Sequence, residues 1–316
     1  MRRLALALAV LLALLASGCS ANAPLPEVRV HATVSPLAAQ ALVILAVNRR
    51  VARVVLVPDP AGADLAWFAD PVQALRHEAL LVPGSAPDER GVAARWKDPR
   101  GRFFPVGAHA RVFLVNPRSA LPVPPVRLRD LADPRLAGLQ AVVPLGRGDG
   151  PATFAALALL SSEEAALRLA AAIAGQRPQL ASDGIAVRSL VASGKAAFGL
   201  AGSEDGAAGA VSAAALEVIY PDPDGIGTLV FPTAAAVLTQ GVANPAARAL
   251  ADWLSGSDAE QLLVARAPGL MPLREDVPLP PGVKSARDLR SPVLDWASLA
   301  EMDRRLATHL GRWPDP

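Results

Sequence analysis

The stretch YPDPDGIGTLVFPTAAAVLTQG, residues 220–241, sets two aspartates and two glycines ahead of an apolar run. From Asp222 it carries Asp at its first and third positions and Gly227 at its sixth, as an EF-hand calcium loop does. The likeness stops at the fifth position, Ile226, and the twelfth, Thr233, where calcium needs an oxygen ligand and a bidentate carboxylate. The flanks, LEVIY before and TLVF after, have strand character rather than the helical period of an EF-hand. The stretch therefore reads as a Pro- and Gly-rich turn feeding a buried strand.

Strands and helices alternate on both sides of that turn. Upstream, VRVHATV, PLAAQALVILAV and VARVVLV read as strand, helix and strand, followed by the strand DLAWFA and a helix over PVQALRHEALL opened by Pro71. A proline-rich connection, LPVPPV, leads to a second series. It comprises the strand LQAVVP, the loop GRGDG, a helix from Pro151, and a helix with Ser161 and Glu164 as capping box and Gly175 as its stop. Asp183 then caps a helix that ends near Gly194, and the strand AAFGLAG follows. Two further helices are expected with caps at Asn244 and Ser257. The chain is an α/β protein.

Its 316 residues, 52% apolar and 19% charged, suit one large core or two smaller ones. Arg2 and Arg3 precede the 13-residue run Leu4 to Ala16, which as a helix spans about 20 Å against roughly 30 Å of bilayer hydrocarbon. Residues 1–18 thus read as a cleaved signal peptide. The ending LLASGC resembles the bacterial lipoprotein box, which implies lipidation at Cys19, with ordinary cleavage at a nearby small residue as the alternative. Residues 19–27 form a short tether. Without Arg2 and Arg3 the chain holds 29 basic and 29 acidic residues, which leaves no basic footprint for nucleic acid. No GxSxG, HxxxH or second cysteine supplies a catalytic or zinc motif, so an enzyme is not expected.

Four segments, 63–75, 128–144, 187–206 and 218–256, together resemble the extracellular solute-binding proteins of bacterial ABC importers, in particular their iron(III)-type group. The resemblance implies a two-lobed, type II periplasmic-binding fold with discontinuous lobes joined by crossover strands. ARVFLVN (110–116) matches one crossover and GTLVFP (227–232) the return. Lobe 1 is expected over 28–112 and 228–316, and lobe 2 over 113–227. The first lobe is shorter than in relatives, and Gly184 and Ile185 replace a usual Asn-Ser pair.

By the same resemblance the ligand sits between the lobes, on loops at strand ends and helix N-termini, where free N–H groups and the helix dipole favour anions. The candidates are Thr33, Ser35, Asp70, Arg147, Gly148, Thr153, Ser203, Glu204 and Asp205, with Tyr220 and Asp222 at the hinge. The paired tyrosines that hold ferric iron in many relatives are missing, since Tyr220 is the only tyrosine. Asp70, Glu204 and Asp205 read either as metal-binding carboxylates or as turn caps, and no metal set is assigned. His31 and Arg188 lie near cleft loops but read first as structural or surface residues. The expected function is capture of an iron complex or small anion by a monomer anchored to the membrane, without a cofactor, and delivery to an ABC permease. The alternative is a binding-fold lipoprotein that has lost its ligand and serves as a sensor or partner-binding module.

Overall fold

The structure, a computed structural model, describes residues 24–207, 216–279 and 284–314. The signal peptide, Cys19 and the first residues of the tether lie outside them.

Strand β1 (Glu27–Ala32) buries Val28 and Val30, and helix α1 (Pro36–Asn48) returns the chain to β2 (Arg53–Val57). Ser35 caps α1, its hydroxyl accepting from the Ala38 amide. Strand β3 (Leu65–Phe68) is buried at all four positions. It ends at Asp70, which caps the short helix α2 (Pro71–Arg76). The helix stops at Arg76 rather than running to Leu81, because His77 leaves helical geometry and a single 3-10 turn follows. β1 pairs in parallel with both β2 and β3, and α1 makes the crossover from β1 to β2.

The chain then enters β4 (Ala108–Val115), all eight residues of which are buried. Beyond it come β5 (Gln140–Val142), α3 (Gly150–Leu160), α4 (Glu163–Gly175), β6 (Gln179–Leu180), α5 (Gly184–Ala192), β7 (Phe198–Gly202), the one-turn helix α6 (Ser203–Ala207) and β8 (Glu217–Ile219). The opening turn leads to β9 (Val230–Pro232) and, one residue on, β10 (Ala234–Val237). Helices α7 (Pro245–Leu254), α8 (Ser257–Arg266) and α9 (Trp296–Gly311) complete the fold.

Two sheets result. One has the order β10-β3-β1-β2, and the other β6-β5-β7-β4-β8 with β9 alongside β4. β4 joins them: its first residues, 108–110, pair with β9, and residues 111–115 pair with β7. β9 runs on into β10, which pairs antiparallel with β3 of the other sheet. This is the two-lobed periplasmic-binding-type fold, with β4 and β9–β10 as the strands that cross. Thr233, between β9 and β10, fastens the crossing. Its hydroxyl accepts from Trp67 Nε1 at 2.8 Å and donates to the Val106 carbonyl at 2.7 Å.

Some local expectations shift. The cap of α4 is Ser162, not Ser161, whose hydroxyl instead donates to the Leu157 carbonyl at the end of α3. Gly256 rather than Ser257 precedes α8, without a side-chain cap. Helix α9 falls within the span expected for lobe 1, yet its main packing is on α3, with α2 and α4 also in contact. Arg76 of α2 grips Asp303 of α9 through Nε and Nη2, at 2.8 and 2.7 Å.

Candidate functional site

A cavity of about 300 Å³ opens between the two sheets. Thr33, Val34, Ser35, Pro36, Ala69 and Gln73 line it from the β1–α1 and β3–α2 loops. The opposite wall comes from the loops before α3 and α5 and from β7–α6, including Gly148, Asp149, Thr153, Asp183, Gly184, Glu204 and Asp205. Arg111 of β4 reaches it from the crossing strand.

Each wall is held by its own hydrogen bonds. The Thr33 hydroxyl donates to Gln73 Oε1 at 2.7 Å and accepts from the Ala69 amide at 3.0 Å, which locks the β1–α1 and β3–α2 loops together. Thr153 Oγ1 donates to the Asp149 carbonyl at 2.7 Å and accepts from Arg111 Nε at 3.0 Å. The N-terminal turns of α1, α3 and α5 all border the cavity, and the partial positive charge of helix N-termini favours an anion there.

Arg111 is 1% exposed. Its Nη1 lies 2.8 Å from Asp149 Oδ2, an ion pair by distance but out of line for a hydrogen bond, so Nη1 and Nη2 are buried without a hydrogen-bond partner. The guanidinium also stands over the Phe231 ring, 4.8 Å from its centroid. A buried arginine with two idle N–H edges is costly unless something accepts from them. Beside it, burial lowers His109 to a pKa of about 4 and leaves a neutral ring, with Arg111 adding to the effect. Burial raises Glu204 to about 7 and, with the nearby Glu204 charge, Asp205 to about 8.

Of the residues the sequence pointed to, Thr33, Ser35, Gly148, Thr153, Glu204 and Asp205 line this cavity. The other five do not. Asp70 is buried just behind Ala69 with both carboxylate oxygens turned to Gln73, at 2.9 and 3.1 Å, and burial raises its pKa. Arg147 points to solvent from the turn before α3. Ser203 ties β4 to the segment after α8, accepting from the Ala110 amide at 3.1 Å and donating to the Gly269 carbonyl at 2.8 Å.

Tyr220 packs under Lys284, whose ammonium lies 4.6 Å from the ring centroid. Asp222 is a turn residue with φ of 58°, and its carboxylate accepts from the Leu128 amide at 2.9 Å. Neither faces the cleft. His31 is likewise structural, with Nδ1 3.3 Å from the Val57 carbonyl. Arg111 is the residue that the sequence reading passed over, whereas the loop LGRGDGPAT already offers Asp149. The signal for Arg111 was an arginine in an otherwise apolar strand.

Among the described residues, no group of three or more His, Cys, Asp or Glu is placed to hold a metal ion. No described helix is long and apolar enough to cross a membrane.

Solved structures share this architecture. Iron-bound HitA from Pseudomonas aeruginosa superimposes with a TM-score of 0.78 at 18% identity, over 90% of this chain and 99% of that one. Apo ferric ion-binding protein A from Pasteurella haemolytica gives 0.76 at 15%, over 90% and 98%. AfuA from Actinobacillus pleuropneumoniae, with fructose-6-phosphate bound, gives 0.76 at 16%, over 90% and 97%. At such identities the likeness shows the fold alone. No curated protein matches the chain by sequence. A family model described as bacterial extracellular solute-binding protein matches residues 76–301, well over half of the chain. The chain belongs to the bacterial extracellular solute-binding protein family.

Proposed function

We propose that the protein is the solute-binding component of an ABC importer, held at the membrane by a lipid on Cys19, and that it captures a small anionic solute in the interlobe cavity. The observation that carries this reading is Arg111, a buried guanidinium with idle Nη1 and Nη2 hydrogens at a cavity bordered by three helix N-termini. A phosphate ester, carboxylate or iron-carboxylate complex would accept from those hydrogens. Bare ferric iron is disfavoured because the only phenolate, that of Tyr220, lies outside the cavity and, among the described residues, no three or more His, Cys, Asp or Glu side chains are placed together to hold a metal ion.

Closure supports capture. The lobes, divided as 28–112 with the return strand and following helices, and 113–227, are joined by β4 and β9–β10, and rotation about such connections shuts the cleft on a ligand. The alternative of a ligand-free sensor requires a cleft without convergent polar groups, and here Arg111, Thr33, Thr153 and Asp149 converge.

Thermal-shift screening of the purified protein against fructose 6-phosphate, iron citrate, methylphosphonate and inorganic phosphate tests the reading. A solute at a hundred times its Kd stabilises by about 2.7 kcal/mol. Absence of stabilisation by any anion, including those in a native cell extract, would defeat it.

A further inference from the structure

The cavity poses a charge problem that capture of an anion must solve. Asp149, Asp183, Glu204 and Asp205 all line it, against the single guanidinium of Arg111. Asp149 Oδ2 already lies against Nη1. Ionised carboxylates and an anionic solute in one partly enclosed space repel strongly, because the low-dielectric walls screen them poorly.

The structure singles out two of the four as able to change state. Asp149 has its guanidinium, and the Asp183 carboxylate accepts from the Ala186 amide at 2.8 Å as the cap of α5. Glu204 has weaker compensation, a backbone hydrogen bond and the more distant charge of Arg111, which burial outweighs. Its Oε2 is buried without a hydrogen-bond partner, and its Oε1 lies 3.6 Å from Nδ1 of His109, which burial keeps neutral. Asp205 receives one backbone bond, from the Gly202 amide at 3.1 Å, and its carboxyl occupies the space left by the missing side chain of Gly184. A β-carbon at Gly184 would stand 1.9 Å from Asp205 Oδ2. The charged groups acting on the pair are Arg111 and Asp149, with His109 beside Glu204 and the carboxylates of Asp183 and Asp70 farther round the site.

Resting on the anionic-solute reading, we propose that Glu204 and Asp205 determine specificity by meeting the solute in protonated form. They donate O–H groups to its oxygens while Arg111 holds its negative charge, so that the site takes an oxygen-rich anion together with the protons these two carboxyls have lost to solvent. In this arrangement the idle Oε2 of Glu204 is the complement of a ligand oxygen. Burial, which raises both groups to about 7 and 8, supplies the protonated population near neutrality. Loss of that proton above this range sets the bound anion against fresh negative charge.

Calorimetric titration of the purified protein with sulfate and with fructose 6-phosphate between about pH 7 and 9, where the charge of each probe is nearly constant, tests the proposal. Affinity is expected to fall as pH rises, by about tenfold per unit between pH 7 and 8 and approaching about a hundredfold per unit above pH 8, as linkage of first one and then two protons to binding requires. Glu204→Gln/Asp205→Asn, which keeps neutral donors at both positions, should bind with little pH dependence and more tightly than the wild type at pH 9. Glu204→Gln alone leaves the Asp205 bond to Gly202 in place and should shallow the slope if the double variant does not fold. A wild-type affinity unchanged from pH 7 to 9, with binding abolished by Arg111→Ala, would overturn the proton linkage and leave the anion reading standing. Failure of both probes to bind at every pH would overturn the two together.

Discussion

Arg111 holds its guanidinium where few arginines are found, inside a strand buried at all eight positions. Three of its contacts are fixed by the fold, namely Thr153, Asp149 and the face of Phe231. Two N–H edges remain for a ligand. Arg111→Lys keeps the charge but loses the planar fork, and is expected to weaken anion binding about tenfold or more in equilibrium titration. The sequence pointed instead to Arg147, which the structure leaves exposed, because it could be read only for loops; burial, which separates a gripping arginine from a solvated one, is a property of the packed strand.

A second residue-scale prediction concerns stability. Burial raises Glu89 to about 7, against the attraction of Lys97 and Arg274. Between its ordinary value near 4.5 and about 7 the folded protein keeps a proton that the unfolded chain has released, so this group makes stability fall as pH rises through that window. Glu89→Gln should therefore raise the urea midpoint at pH 8 and change it less at pH 5.

At the scale of elements, caps were the most legible feature. Asp70-Pro71, Asp183 and Asn244-Pro245 each start the helix expected of them, because a side-chain acceptor followed by a helix-compatible first turn is a local signal. Asp70→Ala removes the bonds to Gln73 and is expected to lower stability by about 1 kcal/mol in urea unfolding, with Asp70→Asn nearer to wild type. The same logic misplaced Ser161, since two adjacent serines offer the same chemistry and only the break after Leu160 decides between them. Long-range approach was not legible at all. Gly269 has φ of 89°, and a β-carbon there would stand 2.5 Å from the Cα of Glu204 and from the Ser203 carbonyl. Gly269→Ala combines positive-φ strain with a backbone clash and should destabilise by about 2 kcal/mol or more, read by the same unfolding measurement.

For the whole molecule, alternation of strands and helices announced the α/β class, and the order of four weak motifs announced two lobes. What the order of elements could not reveal was the place of α9, which closes the chain against α3 while Arg76 and Asp303 tie it to α2. An ion pair with a buried partner spanning that contact sits where relative motion of the lobes would be felt. Small-angle scattering should show a smaller radius of gyration on saturation with solute, and an unchanged radius would argue against closure.

The central claim is that an anion binds through Arg111. Its most direct test is isothermal calorimetry with fructose 6-phosphate and iron citrate on the wild type and Arg111→Ala, at pH 7 and with folding of both checked by circular dichroism. Binding of at least one solute to the wild type, weakened about a hundredfold or more in the variant, is the result expected for the loss of two charge-assisted hydrogen bonds. Equal affinity in the two proteins would contradict the account.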